Sequence, residues 1–174
     1  KRPINTPEDC KGIKLRMPQV NQYVIMGKAL GFNVVTMAYS EIFTALQQKV
    51  VDGQENPPTT VLASGWYEAQ KYIALTDHCI AYNYVVVNEK FYQSLSKENQ
   101  EVLKAAVKAY CDDELRLYKE SMEKDIETLK SKGIEFTKPE RKPFKDLVLK
   151  VYPDMLGPDP KVNAMAKKFL DLQK

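Results

Sequence analysis

One arginine stands where a permanent charge is unusual. The stretch GIKLRMPQ, Gly12 to Gln19, places Arg16 inside a short apolar run between a glycine and a proline. A guanidinium is a planar fork of N–H donors that matches a carboxylate, and such a pair is strong only where water is largely excluded. Arg16 is therefore a candidate anchor for an organic acid. A structural ion pair between Arg16 and Glu55 or Asp52 is the alternative, and both interpretations stay open.

Three further side chains lie near the ends of predicted strands. Tyr39 ends the β-rich run FNVVTMAY, Asn56 lies in DGQENPP, and His78 precedes the run AYNYVVVN. Ligands of parallel α/β sheets bind outside the carboxyl ends of the strands. With Arg16, these residues would offer a charged fork, an aromatic face, an amide and an imidazole at one edge of a sheet.

The residues that could support catalysis are few. The chain has a single histidine, His78, and it has no HExxH, CxxC, P-loop or GxGxxG motif. The acidic run of residues 112–114 is typical of a solvated helix face rather than of a metal site. The sequence therefore predicts no catalytic residue, metal or cofactor. An enzyme that uses His78 with a carboxylate such as Glu55 remains an alternative.

The first half of the chain alternates between short apolar runs and amphipathic segments. This alternation predicts a parallel α/β sheet. The predicted strands are Ile13–Met17, Phe32–Tyr39 and a brief Val50–Val51, and the predicted helices are Gln19–Leu30, Glu41 to about Lys49, and Pro57 to about Tyr72.

The second half is mostly helical. Residues 81–88, rich in valine, predict a strand that is buried on both faces. Apolar residues then recur at steps of three and four from Ser96 to Lys132, and Gly133 ends this pattern. A helix of that length, roughly 50 Å at about 1.5 Å per residue, exceeds a small sheet and is expected to cross between two lobes. A short strand over residues 134–137 and helices over 139–156 and 160–172 complete the prediction.

Composition narrows the class of protein. A chain of 174 residues with 44% hydrophobic and 28% charged residues fits one domain or a small two-lobed unit. The net charge is +3, and basic and acidic residues are interspersed along the chain, which argues against a nucleic-acid partner. No run reaches the roughly 18 apolar residues that a membrane-spanning helix needs. The start KRPINTPED has no initiator Met or signal-like run, as in a processed or partial chain, and the three cysteines are expected to be free thiols or to form at most one bridge.

Several stretches together carry a family resemblance. GIKLRMPQ, GFNVVTMAYSEIFTALQQKVVDGQENPP, WYEAQKYIALTDHCIAYNYVVVNEKFYQSL and the long helix after them resemble, in order and spacing, the solute-binding proteins of tripartite ATP-independent periplasmic (TRAP) transporters, the DctP family. The resemblance implies a two-lobed α/β, periplasmic-binding-protein-like fold. It also implies that the protein captures a small organic acid in the periplasm, without a cofactor, and delivers it to a membrane permease. A ligand-sensing module of a signalling protein is a further alternative.

The resemblance also implies roles for particular residues. Arg16 occupies the place of the arginine that binds the ligand carboxylate, and Asn56 that of the asparagine that assists it. Gln19, Tyr39 and His78 match further positions that line the cleft. Trp66 lies near the cleft by analogy, although packing of its helix against the sheet is the alternative for this residue.

Finally, the resemblance implies a division into lobes. Residues 1–81 and 122–150 would form the second lobe, with a parallel or mixed sheet flanked by helices. Residues 82–121 and 151–174 would belong to the first lobe, whose N-terminal portion this chain lacks. These first-lobe parts are expected to expose apolar side chains such as Val85 and Val87.

Overall fold

The computed structural model describes residues 1–79 and 84–172. Strands and helices alternate through the first half, and helices dominate the second. The strands are β1 (Lys14–Met17), β2 (Asn33–Thr36), β3 (Gly53–Gln54), β4 (Tyr72–Ala74) and β5 (Glu135–Thr137). The α-helices are α1 (Asn21–Ala29), α2 (Ile42–Gln47), α3 (Pro58–Ala63), α4 (Glu89–Ser94), α5 (Lys97–Ser131), α6 (Arg141–Met155) and α7 (Pro160–Asp171).

The strands form two parallel sheets. The first has the order β2-β1-β3, with Arg16 of β1 opposite Val35 of β2 and Gln54 of β3. The second pairs β4 with β5, Ile73 lying opposite Phe136. The predicted parallel α/β architecture is therefore confirmed.

A shared core holds the two sheets together. Its buried side chains come from helices α2, α3 and α5, from the 3-10 turn that begins at Trp66, and from residues in or next to strands of both sheets: Ile42, Ala45, Leu46, Val51, Val61, Trp66, Ile73, Leu129 and Ile134. Helix α1 packs closely on the first sheet at Gly27, where a Cβ would lie 2.7 Å from Met17 Sδ. Helix α6 packs against α1 in turn. The first sheet is thus covered by helices, as parallel sheets require.

Two of the sequence predictions are wrong around α3. The expected Val50–Val51 strand is absent, because Val51 is buried in the core and pairing with β1 begins at Gly53. The helix expected to reach Tyr72 ends at Ala63, since Gly65 adopts a left-handed backbone (φ 68°) that stops it. A 3-10 turn at Trp66–Glu68 and the unpredicted strand β4 follow.

The strand predicted over residues 81–88 is also wrong for those of its residues that the structure describes. Residues 81–83 lie outside the described residues, and Tyr84 to Asn88 form no strand. Their side chains are exposed, Val86 by 86%, because no described strand lies beside them to pair with. The expected exposure of Val85 and Val87 is confirmed at 53% and 48%. The strand predicted at Phe32–Tyr39 is shorter, Asn33–Thr36, and a 3-10 turn occupies Tyr39–Glu41.

The long helix is confirmed almost to the residue. Ser96 caps α5 by accepting a hydrogen bond from the backbone N–H of Asn99 (3.2 Å), and Gly133 follows its end with a left-handed backbone (φ 87°). Near its carboxyl end Leu129 is fully buried in the core. Apolar side chains in the first half and the middle of the helix are exposed: Val102, Tyr110, Leu115, Leu117 and Tyr118. Among the described helices, none is both long and apolar enough to cross a membrane.

Candidate functional site

The candidate site lies at the carboxyl edge of the first sheet. The chain passes from β1 to β2 on one side and then returns to β3 on the other, so the strand order reverses between β1 and β3. A crevice forms outside the strand ends at such a switch point, and ligands of α/β proteins bind there. Arg16 of β1 and Gln54 of β3 are direct partners across it, and Glu55 and Asn56 follow at once.

Arg16 is held in the interior without a carboxylate partner. Within the described part of the chain it is the one charged residue that is buried, at 5% exposure. Its Nε and Nη2 both donate to the backbone oxygen of Met37, at 3.1 and 2.8 Å. Nη1 has no hydrogen-bond partner among the residues that the structure describes. Burial lowers the pKa of Arg16, and attraction from Glu55 and Tyr39 acts in the opposite direction. An arginine nevertheless keeps its charge in proteins.

Arg16 forms an ion pair with neither Glu55 nor Asp52, the two partners that the sequence left open. Asp52 lies at the amino end of β3, where its Oδ2 accepts hydrogen bonds from the backbone N–H of Lys14 and from Nζ of Lys1, both at 3.0 Å. Glu55 lies 3.4 Å from Nε2 of His78. For the residues described, no carboxylate oxygen lies within 4.0 Å of the Arg16 guanidinium. One nitrogen of the fork therefore remains free for a ligand.

Tyr39 and Trp66 form an aromatic pair beside Arg16. Their ring centroids lie 5.1 Å apart at 52°, and the Tyr39 hydroxyl is 2.7 Å from Oγ of Ser64. Tyr39 is half exposed, whereas Trp66 is only 2% exposed and belongs to the core. The burial of Trp66 in the core favours the packing role that the sequence left open.

Amide side chains line the end of β3. Nδ2 of Asn56 donates to Oε1 of Gln54 (2.8 Å), and Nε2 of Gln54 donates to Oε1 of Gln70 (3.3 Å). This chain of hydrogen bonds fixes which way the Asn56 amide faces. Asn56 therefore sits next to the register partner of Arg16 with a defined orientation.

His78 joins this edge from the second sheet. The sequence placed it before a strand, but it follows the carboxyl end of β4. Its Nδ1 lies 2.7 Å from Oγ1 of Thr76, and its Nε2 faces Glu55. Gln19 is exposed in the bend between β1 and α1. His78 thus lies beside Glu55. Gln19 has no described contact with the other predicted site residues.

Some contacts at this edge were not foreseen. No pattern in the sequence marks Ser64 or Thr76 as a site residue. The structure shows Ser64 in contact with Tyr39 and Thr76 in contact with His78. The Tyr23 hydroxyl lies 3.1 Å from Sγ of Cys79, and this contact, followed by burial, raises the pKa of Tyr23. Gln54 carries no such signal either, because β3 is only two residues long. All three cysteines are free, and only Cys10 is buried.

A cavity of about 1050 Å³ opens at the His78 side of the edge. Glu55, Asn56 and His78 line it, and it continues between β3, β4 and α6. Arg16, Tyr39 and Trp66 do not line it. The predicted residues therefore form two neighbouring groups, one around Arg16 and one around His78, with Glu55 between them. In residues 1–79 and 84–172, no cluster of three His, Cys, Asp or Glu side chains could hold a metal ion.

Sequence comparisons relate this arrangement to known proteins. The profile described as DctP, bacterial extracellular solute-binding protein, family 7, matches residues 1–158. The sialic acid-binding periplasmic protein SiaP of Vibrio cholerae is 35% identical over 151 residues, which cover 87% of this chain and 47% of that protein. The 2,3-diketo-L-gulonate-binding periplasmic protein YiaO of Escherichia coli is 31% identical over 97% of this chain and 52% of its own length.

Solved structures show the same fold. A TRAP periplasmic solute-binding protein of Xanthobacter autotrophicus with bound β-D-galacturonate matches 96% of this chain and 56% of its own, with a TM-score of 0.87 and 29% identity. A second, from Roseobacter denitrificans with bound 3-deoxy-D-manno-oct-2-ulosonic acid, has a TM-score of 0.82 and 33% identity over 92% of this chain and 55% of its own. The expected periplasmic-binding-protein-like fold is confirmed. The chain spans about half the length of these relatives.

Proposed function

Because the chain belongs to the DctP family of bacterial extracellular solute-binding proteins, we propose that it forms part of the periplasmic solute-binding subunit of a TRAP transporter. In this function it captures a small organic acid and delivers it to the membrane permease. The observation that carries the proposal is Arg16, a buried cation with no carboxylate partner among the described residues, at the switch point of the sheet.

The chemistry of binding follows from the unused part of the guanidinium. A buried charge that lacks a counter-ion is costly, and a ligand carboxylate would supply the missing partner. Hydrogen bonds to a charged group contribute about 1.5–3 kcal/mol each. The two bonds to Met37 hold the fork in place, so Nη1 presents its donors without reorganisation.

The neighbours of Arg16 favour a hydroxylated acid with one carboxylate. Glu55 would repel a second carboxylate, whereas it could accept hydrogen bonds from ligand hydroxyls, and Asn56 and His78 stand beside it. The relatives named for sialic acid and 2,3-diketo-L-gulonate, and the structure with galacturonate, support this class of ligand. Tyr39 would offer its exposed face to the sugar ring.

Calorimetry on the full-length protein tests the role of Arg16. We expect Arg16→Lys to weaken binding of D-galacturonate or N-acetylneuraminate by about tenfold or more, because an ammonium group cannot reproduce the fork. Succinate should bind more weakly than either sugar acid. Arg116→Lys is the matched control, because Arg116 is exposed on α5, pairs with Asp113 and Glu120, and does not line the cavity. Unchanged affinity of Arg16→Lys with a large loss of stability would show that Arg16 is structural.

The arrangement of Thr76, His78 and Glu55 favours the enzyme alternative, since a hydroxyl, an imidazole and a carboxylate in contact can relay a proton. Chromatography of the ligand after prolonged incubation with the protein separates the two functions. A binding protein returns the ligand unchanged, whereas any conversion that His78→Gln abolishes would support the enzyme.

A further inference from the structure

Ser64 holds the hydroxyl group of the aromatic side chain beside Arg16. Its Oγ lies 2.7 Å from the hydroxyl oxygen of Tyr39, 25 residues earlier in the chain. Ser64 follows the last residue of α3, where its N–H donates to the oxygen of Thr60 (3.0 Å). Gly65 then turns the chain with a left-handed backbone (φ 68°). The end of α3 therefore gives the Ser64 hydroxyl a defined place.

Tyr39 is held at two further points although it is 53% exposed. Its ring packs beside that of the buried Trp66, with the centroids 5.1 Å apart. Its backbone begins the 3-10 turn Tyr39–Glu41, in which Oε2 of Glu41 accepts from the N–H of Ala38 (2.8 Å). Exposed side chains ordinarily change rotamer within nanoseconds. The contacts at the backbone, the ring and the hydroxyl therefore hold in place a side chain that would otherwise move.

A short segment joins Tyr39 to Arg16. The oxygen of Met37, two residues before Tyr39, accepts from both Nε and Nη2 of Arg16. Tyr39 also acts on the charge directly, because burial lowers the pKa of Arg16 and attraction from Glu55 and Tyr39 opposes that effect. The guanidinium and the exposed ring therefore keep fixed places in one group.

An aromatic ring held in this way suits a cyclic ligand. The C–H groups of a sugar ring pack on the face of an aromatic side chain, whose electrons attract their partial positive charge. A ligand that must first immobilise a mobile side chain loses affinity, and rigidity of the free protein avoids that loss. A sugar acid with its carboxylate on Arg16 would meet an aromatic ring that is already in place.

We propose that Ser64 is a positioning residue for ligand recognition, whose hydrogen bond fixes Tyr39 as the platform for the ring of a cyclic sugar acid. This inference deepens the proposed function and rests on it. Ser64 acts through Tyr39 and does not itself contact the ligand. The pair selects by the shape of the ligand, cyclic or open-chain, whereas Glu55 acts on the number of its carboxylates.

Two acids with one carbon skeleton test this selection. D-Galacturonate closes into a ring, whereas L-galactonate, in which the aldehyde is reduced to an alcohol, has the same carboxylate and cannot form that ring. In calorimetry on the full-length protein, we expect Ser64→Ala to weaken binding of D-galacturonate by about two- to tenfold, because binding must then immobilise Tyr39. Binding of L-galactonate, already weaker in the parent, should change by less than about twofold.

Further variants separate positioning from a general effect on the fold. Tyr39→Phe removes the same hydrogen bond from the other side, so it should weaken binding of D-galacturonate as much as Ser64→Ala does. The double variant should lose no more than either single one. Ser64→Thr keeps a hydroxyl group and should restore the parent's affinity. Ser131→Ala is the matched control, because Ser131 is exposed at the end of α5 and its hydroxyl donates to the oxygen of Thr128 (2.7 Å).

The outcomes distinguish this inference from the proposed function. Arg16→Lys should weaken binding of both acids, since both carry the carboxylate. If it does so while Ser64→Ala changes neither affinity, the proposed function stands and the role of Ser64 is wrong. Equal losses for the two acids in Ser64→Ala, or additive losses in the double variant, would also overturn that role, because Ser64 would then act other than through Tyr39. A parent protein that binds neither acid overturns the sugar-acid class and the inference with it.

Discussion

Arg16 and Asp52 illustrate how the two ends of the first sheet differ. Arg16 uses two of its nitrogens on a neutral backbone oxygen, and no described carboxylate pairs with its charge. Asp52 instead has its charge satisfied within the chain by Lys1 and by the backbone of Lys14. A satisfied charge contributes to stability, whereas an unsatisfied one at a crevice is available for binding.

The contribution of Asp52 should depend on pH. The backbone hydrogen bond from Lys14 and the contact with Lys1 lower the pKa of Asp52 in the folded protein, against the opposing effect of burial. A depressed carboxyl pKa adds stability above the unfolded-state value, near pH 4, which is lost as pH falls through the folded-state value. We expect Asp52→Asn to lower the free energy of unfolding by about 1 kcal/mol at pH 7 and by less at pH 3.

Urea unfolding of the 174-residue chain at pH 7, 4 and 3 measures this difference. Asp154→Asn, at an exposed position, is the matched control. If Asp52→Asn lowered the free energy of unfolding equally at every pH, the effect would come from the geometry of the turn and not from the charge of Asp52.

Helix α5 is only partly packed against the rest of the described chain. Leu129 anchors its carboxyl end in the core, while the apolar side chains of its middle and first half face solvent. A helix with an apolar stripe needs a partner surface, so this exposure agrees with the prediction that α5 crosses between two lobes. Closure of a two-lobed binding protein would then bend the helix near residues 111–117, which stays a prediction.

A proline at the middle of α5 tests the bending. We expect Asp113→Pro to change ligand affinity in the full-length protein, because an interior proline removes a backbone hydrogen bond and costs about 3 kcal/mol or more. Asp113→Ala is the control, since both variants lose the contact with Arg116 (2.9 Å) but only one alters the backbone. Circular dichroism checks folding and calorimetry measures affinity. A folded Asp113→Pro protein with the parent's affinity would show that the hinge does not lie in α5.

The molecule as a whole exposes more apolar surface than a closed domain should. Exposed large apolar side chains cluster in the stretch of residues 84–91, along α5 and on α7. These segments fall within the ranges 82–121 and 151–174 that the sequence assigns to a first lobe, and that division stays a prediction. Large exposed apolar surfaces mark sites of interaction or association.

Light scattering and binding of a fluorescent apolar-surface dye test the lobe division. We expect the 174-residue chain to associate more, or to bind more dye, than the full-length protein does at equal concentration, because a first lobe would cover these side chains. Phe169→Ser and Val86→Ser on the short chain should each reduce dye binding, since both side chains are largely exposed. A monodisperse short chain that binds no dye would show that these residues complete their own core.

What the sequence determined by itself came from local signals. The bounds of α5 followed from Ser96, Gly133 and an apolar period, all of which act within a few residues. The parallel α/β class followed from alternation, and Arg16 stood out because a charge inside an apolar run needs a reason. The tertiary structure decided the rest, because it depends on pairing between distant segments. Pairing with β1 placed β3 at Gly53 rather than at Val50, and the contact of His78 with Glu55 joins residues from two different sheets.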